Sequence, residues 1–171
     1  MHDQPRYEAL EASTFFEDGR SARPEVPGTV ARGLLKEDKH FYTGKSGNAY
    51  VDTFPFPITR EVLERGRERF EIFCAVCHGR VGNGEGMIVR RGFRQPPSYH
   101  SDRLRKVPVG HIFDVITNGF GAMPDHSSQI PARDRWAIIA YIRALQLSQQ
   151  ATLADVPPEE RERLTAGGPK K

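Results

Sequence analysis

The clearest chemistry in the sequence lies in five consecutive residues, Cys74-Ala75-Val76-Cys77-His78. Cys74 and Cys77 are the only cysteines in the chain, and His78 follows the second of them directly. Two thiols at this spacing can form thioether bonds with the two vinyl groups of a haem, and the imidazole can then bind the iron. The motif therefore predicts one covalent c-type haem with His78 as an axial ligand.

Three other roles for a Cys-x-x-Cys pair fit the sequence less well. A redox-active dithiol is expected beside a βαβ pattern, and a zinc site needs further thiolates or suitably spaced histidines. The sequence shows neither pattern. A disulfide between Cys74 and Cys77 would close a loop too short to stabilise the fold much.

Met123 is predicted to be the second axial ligand. It lies in a Gly/Pro-rich loop at residues 119–124, 45 positions after His78, which is far enough for the chain to pass round a porphyrin. A thioether opposite an imidazole is the pairing that raises the reduction potential of such haems. The alternatives are packing of Met123 in the core, or ligation by another side chain: Met87, His100, His111 or His126.

A helix capped by Thr59 is predicted to lead directly to Cys74. Apolar side chains recur at helical spacing along it: Leu63, Phe70 and Phe73. Gly66 in its interior costs about 1 kcal/mol relative to alanine, which indicates close approach of another helix.

A last helix that begins near Pro131 is the predicted partner. Its apolar stripe contains Trp136, Ile139, Ile142 and Leu145, and its small-residue face contains Ala137, Ala140 and Ala144. We expect this helix to cross the first one at Gly66 and Phe70.

The segment that follows His78 is predicted to wrap the haem edge. It is rich in glycine, at positions 79, 82, 84 and 86, and the pair Pro96-Pro97 then holds the chain extended. A carbonyl near this proline pair is expected to accept a hydrogen bond from the second ring N–H of His78.

A short helix is predicted at residues 108–118, with Ile112, Val115 and Ile116 on one face.

Charge is unevenly distributed along the 171 residues, whose formal net charge is +3. Residues 1–56 contain seven Lys/Arg and nine Asp/Glu, a balance of −2, so residues 57–171 carry +5. A basic haem region suits a redox partner with an acidic face. The sequence contains no basic run interleaved with aromatics, the pattern that would indicate binding to nucleic acid. It also contains no apolar stretch of about 18 residues, the length that would predict a membrane span.

Three regions are predicted. Residues 1–56 lack a sustained helical or strand period but contain many aromatics, so we expect an extended arm that docks on a partner or on the haem domain; a loose tether is the alternative. Residues 57–149 are predicted to form the haem domain, and residues 150–171 a peripheral C-terminal extension.

The sequence shows no signal-peptide pattern, which would be a charged start followed by an apolar run. Because haem c is attached after export, we expect the sequence to be a mature or shortened form.

Residues 57–149 resemble a class I cytochrome c domain. The matching features are Gly66, Phe70, the Cys-x-x-Cys-His motif, Met123-Pro124 and the closing helix with Trp136 and Tyr141. The resemblance implies a mainly α fold of three to four helices around one haem c, preceded here by the irregular arm.

The arm is similar to that of the monohaem cytochrome c subunit of bacterial alternative complex III. The similarity is carried by five stretches: Met1-His2-Asp3-Gln4-Pro5-Arg6-Tyr7, Phe15-Phe16, Asp18-Gly19-Arg20-Ser21-Ala22-Arg23-Pro24, Gly28-Thr29-Val30-Ala31-Arg32-Gly33 and Phe54-Pro55-Phe56-Pro57-Ile58-Thr59-Arg60-Glu61. It implies a subunit of a membrane quinol-oxidising complex on the extracytoplasmic (periplasmic) face, held there peripherally or by a lipid on an upstream cysteine. The implied partners are a multihaem cytochrome, an iron–sulfur protein, integral membrane subunits, and a soluble carrier or oxidase.

The expected function is one-electron transfer by a chain with no independent catalysis. Two alternatives are a free periplasmic electron shuttle and a haem enzyme or gas sensor. A shuttle needs no aromatic arm of this length, and an enzyme or sensor needs an open iron position.

Overall fold

The computed structural model describes residues 4–166, and the chain divides into two compact units, Met1–Glu37 and Asp38–Lys171. The described residues contain seven α-helices and two strands of two residues each. This confirms the prediction of a mainly α fold. No helix among residues 4–166 combines the length and the apolar character needed to cross a membrane.

The first unit has no regular helix or strand among its described residues, as the sequence predicts. Its chain closes a loop through an isolated bridge between Ala12 and Arg20 and a hydrogen bond of 2.9 Å from the amide of Ser13 to the carbonyl of Gly19. Arg23 holds the loop by two hydrogen bonds of 2.8 and 2.9 Å to the Asp18 carboxylate. The unit is therefore irregular in backbone but ordered by its own polar contacts.

Helix α2 (Arg60–Phe73) begins where the sequence predicts, with the Thr59 hydroxyl accepting a hydrogen bond from the amide of Val62 at 3.4 Å. Helix α6 (Ala132–Ser148) crosses α2 at Gly66. A Cβ at Gly66 would lie 2.0 Å from the carbonyl oxygen of Ala137, so only glycine permits this approach. The predicted crossing is thereby confirmed.

Polar contacts that the sequence did not reveal reinforce the same crossing. The Arg65 guanidinium donates to both carboxylate oxygens of Asp134, at 3.0 and 2.8 Å. Arg69 lies 3.5 Å from the same carboxylate. Asp134 is buried, so the two arginines compensate a carboxylate that would otherwise be costly to remove from water.

Shorter helices complete the second unit: α3 (Ala75–His78), α4 (Asp102–Lys106) and α5 (Val109–Asn118). Helix α5 confirms the predicted element at residues 108–118. Phe113 of α5 stacks on Trp136 of α6 with ring centroids 4.5 Å apart, and both side chains are fully buried. The buried apolar core is Phe70, Val109, Phe113, Ile116, Ile130, Trp136, Ile138, Ile139 and Ile142.

Residues 38–56 pack on this core. They form α1 (Lys39–Thr43), β1 (Lys45–Ser46) and β2 (Ala49–Tyr50), and the indole N–H of Trp136 donates to the carbonyl of Phe41 at 2.8 Å. Gly44 and Gly110 meet backbone to backbone, since a Cβ at Gly110 would lie 2.0 Å from the Gly44 carbonyl oxygen. The compact unit thus begins at residue 38, whereas the sequence placed the boundary after residue 56.

The C-terminal region contains a 3₁₀ turn, Leu153–Asp155, and helix α7 (Pro158–Ala166). The Asp155 carboxylate accepts from the amide and the hydroxyl of Thr152, at 2.8 and 2.9 Å, and so fixes the turn. Both elements belong to the region predicted as a peripheral C-terminal extension. Residues 167–171 of that extension lie outside the described residues.

Candidate haem site

The Cys-x-x-Cys-His motif forms a single helical turn at the end of α2. The amide of Cys74 donates to the carbonyl of Phe70 at 2.8 Å, which makes Cys74 the last residue of the α2 hydrogen-bond ladder. The amides of Cys77 and His78 both donate to the carbonyl of Cys74, at 3.1 and 2.9 Å. Both thiols and the imidazole therefore project from one rigid turn.

The glycine-rich segment closes over this turn by backbone hydrogen bonds. The amides of Gly84, Gly86 and Ile88 donate to the carbonyls of His78, Cys77 and Val76, at 2.8, 3.1 and 3.2 Å respectively. A Cβ at Gly86 would lie 2.3 Å from the Val76 carbonyl oxygen. The glycine is needed because the segment lies directly against the turn and satisfies the carbonyls at its end.

His78 is buried and oriented by an aromatic neighbour. Only 9 % of His78 is exposed, and its ring stacks on Tyr99 with centroids 4.6 Å apart and planes 13° apart. The amide of Tyr99 donates to Gly82 at 2.9 Å, and the Gln146 side chain donates to the Tyr99 carbonyl at 2.8 Å. Tyr99 was not predicted as a site residue. The only signal for it was an aromatic two positions after the proline pair.

The expected hydrogen bond from His78 to a carbonyl of the proline region is absent. The buried Nδ1 of His78 has no hydrogen-bond partner among residues 4–166. The Pro96 carbonyl oxygen instead faces Gly84, only 2.3 Å from where a Cβ would stand. The expected hydrogen bond is therefore wrong for this structure. Gly84 lies against the Pro96 carbonyl, and the His78 ring stacks on Tyr99.

Burial sets the protonation states of the turn. It lowers the pKa of His78 to about 4, with repulsion from His126 as a second cause, so the imidazole is neutral at pH 7. Burial also raises the pKa of Cys74 to about 12, with the nearby Cys77 as a further cause, and burial raises the pKa of Cys77. Both cysteines are free thiols.

This donor set fits a covalent haem. Two unpaired thiols are available for thioether bonds, and a neutral imidazole is the form that binds a metal. No cluster of three or more metal-ligating His, Cys, Asp or Glu side chains occurs within residues 4–166, so a zinc site finds no support there.

Met123 lies at the end of a tight two-residue turn. The amides of Phe120 and Met123 donate to each other's carbonyls, both at 3.0 Å, and Gly121 has a φ of 60°, which glycine adopts without strain. The Met123 side chain is half-buried against the core cluster that Cys74 and Tyr99 also contact. The structure thus brings Met123 and the motif to one cluster, and iron ligation by Met123 stays a prediction.

The four alternative ligands lie in different surroundings. Met87 is 58 % exposed, and a ring nitrogen of His100 is 2.7 Å from the carbonyl oxygen of Val81. His111 packs edge-on against Tyr50 at 5.1 Å. His126 is half-buried and is near enough to influence the pKa of His78. Among the four, His126 is therefore the strongest competitor of Met123.

Comparison with known proteins agrees with this geometry. Residues 61–142 match the family model described as cytochrome c oxidase, cbb3-type, subunit III. These residues, just under half of the chain, therefore match a cytochrome c domain. The cytochrome domain includes Cys74, Cys77, His78 and Met123, and its helices have the class I cytochrome c fold. A cytochrome c domain implies covalently bound c-type haem and haem-mediated electron transfer.

A chain of the Kuenenia stuttgartiensis reducing HAO-like protein complex is similar in structure, with a TM-score of 0.46 and 19% sequence identity. The similarity covers 63% of the present chain and 54% of the Kuenenia chain, so the present chain spans about half of the length of that neighbour. No curated protein matches the sequence.

Proposed function

We propose that the chain is a monohaem electron-transfer protein in which Cys74 and Cys77 would hold the haem covalently and His78 and Met123 would bind its iron. The observation that carries the proposal is the buried, neutral His78 beside two free thiols on one helical turn. When bound, the haem supplies one-electron chemistry between ferric and ferrous iron. The protein's own contribution is to fix the ligands and limit the access of water to them.

Specific contacts keep these ligands in place. Tyr99 restricts rotation of the His78 ring by stacking on it, and Gln146 of α6 holds the Tyr99 backbone. The reciprocal hydrogen bonds between Phe120 and Met123 hold the thioether-bearing loop. Because these contacts restrict the movement of His78 and Met123, they would keep the reorganisation on electron transfer small.

We further propose that the cytochrome is a subunit of a membrane quinol-oxidising complex of the alternative complex III type, on the extracytoplasmic face. Its partners would be a multihaem cytochrome, an iron–sulfur protein and integral membrane subunits, with electrons passing on to a soluble carrier or an oxidase. The support is the sequence similarity of the arm, together with the exposed apolar side chains of its described residues. These side chains include Tyr7, Leu10, Phe15, Leu34 and Leu35.

Co-purification from detergent-solubilised membranes tests the membership of a complex. The full-length haem-loaded chain should bring multihaem and iron–sulfur subunits with it, and a variant that lacks residues 1–37 should lose them. The variant must keep its haem absorption spectrum, which shows that the cytochrome domain is intact. A full-length chain that elutes alone would instead favour a free shuttle.

A further inference from the structure

An exposed apolar surface adjoins the haem-attachment turn. Val76, between the two cysteines, is 41 % exposed, and Met87 and Phe93 are 58 % and 67 % exposed. Backbone hydrogen bonds link their segments, since the amide of Ile88 donates to Val76 at 3.2 Å and the amide of Phe93 donates to Ile88 at 3.1 Å. The three side chains thus belong to one continuous piece of structure beside the cysteines.

Four exposed arginines belong to the same piece: Arg80, Arg90, Arg91 and Arg94. Residues 80–94 contain these four arginines and one acid, Glu85, a balance of +3. The whole chain has 25 basic and 22 acidic residues, so the remaining residues hold 21 of each and sum to zero. This short segment carries the entire formal net charge of the molecule.

The charge of these arginines is not neutralised within the described part of the chain. None of the four has an acidic partner within 4.0 Å there, and Glu85 accepts a hydrogen bond from Asn83 instead. The exposed arginines of α2 differ, because Arg60 and Arg67 pair with Glu64 and Glu71 at 2.8 and 3.1 Å. The positive field at the haem turn is therefore available to an external partner.

We propose that Val76, Met87 and Phe93, with Arg80, Arg90, Arg91 and Arg94 around them, form the arginine face, on which an acidic surface of a redox partner protein docks. The inference rests on the proposed electron-transfer function and adds the position and chemistry of the exchange surface. An apolar centre with a charged rim is typical of a transient protein interface, and complementary charge accelerates encounter.

A protein partner fits this surface better than an anionic lipid headgroup does. The segment is hydrogen-bonded to the turn that carries the haem attachment, so any covering partner is brought close to the redox centre. Electron tunnelling falls steeply with distance, so this closeness matters to a redox protein. A lipid surface would gain nothing from it and would obstruct the route.

Two charge-matched variants of the haem-loaded, full-length cytochrome test the proposal. R90Q/R91Q/R94Q removes three charges from the arginine face, and R60Q/R67Q/R133Q removes three exposed charges from α2 and the start of α6. Both variants have a formal net charge of zero, with 22 basic and 22 acidic residues. Any difference between them therefore reports the position of the charge and not its total.

The probe is a gold electrode coated with a carboxylate-terminated alkanethiol monolayer, which imitates an acidic docking surface, with a hydroxyl-terminated monolayer as the reference. In about 10 mM salt, where screening is weak, voltammetry measures the amount of electroactive cytochrome adsorbed. R90Q/R91Q/R94Q should lose about tenfold in coverage, whereas R60Q/R67Q/R133Q stays within about twofold of the parent. Equal losses in both variants, or no loss in the first, would overturn the proposal.

Adsorption at high salt tests the apolar centre of the arginine face separately. On a mixed carboxylate and methyl monolayer, part of the adsorption should survive about 0.3 M salt, because apolar contact is not screened. Phe93→Ser should remove this salt-resistant part, and Leu147→Ser, at another exposed apolar side chain on α6, should not. Identical behaviour of the two variants would contradict the assignment of Phe93.

Phosphatidylglycerol vesicles test the alternative partner, an anionic lipid surface. The cytochrome should not float with these vesicles in about 0.15 M salt. Flotation that R90Q/R91Q/R94Q abolishes would overturn the proposal in favour of a lipid surface. These measurements need only the purified cytochrome, so a failure to co-purify with membrane subunits would not affect them, and their failure would leave membership of a complex intact.

Discussion

At the scale of single residues, the environment of His78 keeps its imidazole neutral, which is the form that binds a metal. Burial costs the imidazolium form its hydration, and the stacked Tyr99 ring offers no acceptor for a second proton. The motif itself was evident in the sequence because it is local. Tyr99 was not, since its stacking on His78 depends on a hydrogen bond to Gly82 in a loop that folds back from a distance.

Substitution of Met123 tests the predicted second ligand. Met123→Ala should abolish the weak near-infrared absorption of ferric methionine-ligated haem and lower the reduction potential, because the thioether favours ferrous iron. Absorption spectra and a redox titration measure both effects. His126→Ala is the matched control and should preserve them. If the parent lacks this near-infrared absorption, and His126→Ala changes the reduction potential while Met123→Ala does not, the second ligand is His126.

Asp114 gives a pH-dependent link between residues 38–56 and α5. Burial alone would raise the pKa of Asp114, but a hydrogen bond of 2.8 Å from the Tyr50 hydroxyl and the Lys45 ammonium at 3.3 Å outweigh it and lower the pKa. A lowered carboxylate pKa stabilises the fold above the unfolded-state value of 3.8, and this contribution is lost as the pH falls through the folded-state value.

Asp114→Asn should therefore destabilise the cytochrome at pH 7 but not in strong acid. We expect a loss of about 1 kcal/mol at pH 7, since the carboxylate is only partly buried. Denaturant unfolding at pH 7 and near pH 2.5, about a unit below the unfolded-state pKa, measures the difference between variant and parent. A difference that is constant with pH would show that the ionised carboxylate is not the cause.

At the scale of elements, the long helices were predictable and the connections between them were not. Thr59 as a cap, Gly66 in an apolar run and the periodic stripe of α6 are local signals, and each appears in the structure as expected. The helix α1 and the hairpin of β1 and β2 were missed. They are too short to have a clear hydrophobic period, and they form because they pack on Trp136 and Gly110.

Gly66→Ala separates helix propensity from helix packing. Propensity alone predicts stabilisation by about 1 kcal/mol. The structure predicts the opposite sign, a loss of about 2 kcal/mol or more, because the new methyl group would meet the Ala137 backbone. Glu64→Ala, on the exposed side of α2, should change stability by less than about 0.5 kcal/mol. Stabilisation by Gly66→Ala in thermal unfolding would contradict the close crossing.

At the scale of the whole molecule, the sequence predicts a boundary after residue 56, whereas the second compact unit of the structure begins at Asp38. The aromatic content of residues 1–56 suggested a single arm. Phe41, Phe54 and Phe56 instead pack against the core, and Trp136 donates to Phe41. Composition alone does not distinguish aromatics that dock on a partner from aromatics that complete the chain's own core.

Two truncations locate this boundary. A chain that begins at residue 38 should retain the thermal stability of the cytochrome domain. A chain that begins at residue 57 should lose several kcal/mol, because the Trp136 indole loses its acceptor and buried aromatic surface becomes exposed. Thermal unfolding of both haem-loaded forms, followed at the haem absorption, provides the comparison. Equal midpoints would show that residues 38–56 contribute nothing to the fold.

The most direct test of the account is the intact mass of the chain after maturation in a host that exports it and attaches haem c. The account predicts the mass of the polypeptide plus one haem, and a haem absorption that remains with the protein after extraction with acidified organic solvent. A variant with Cys74→Ala and Cys77→Ala should lose both signals. An unmodified mass for the parent chain, or haem that the solvent removes completely, would contradict the central claim.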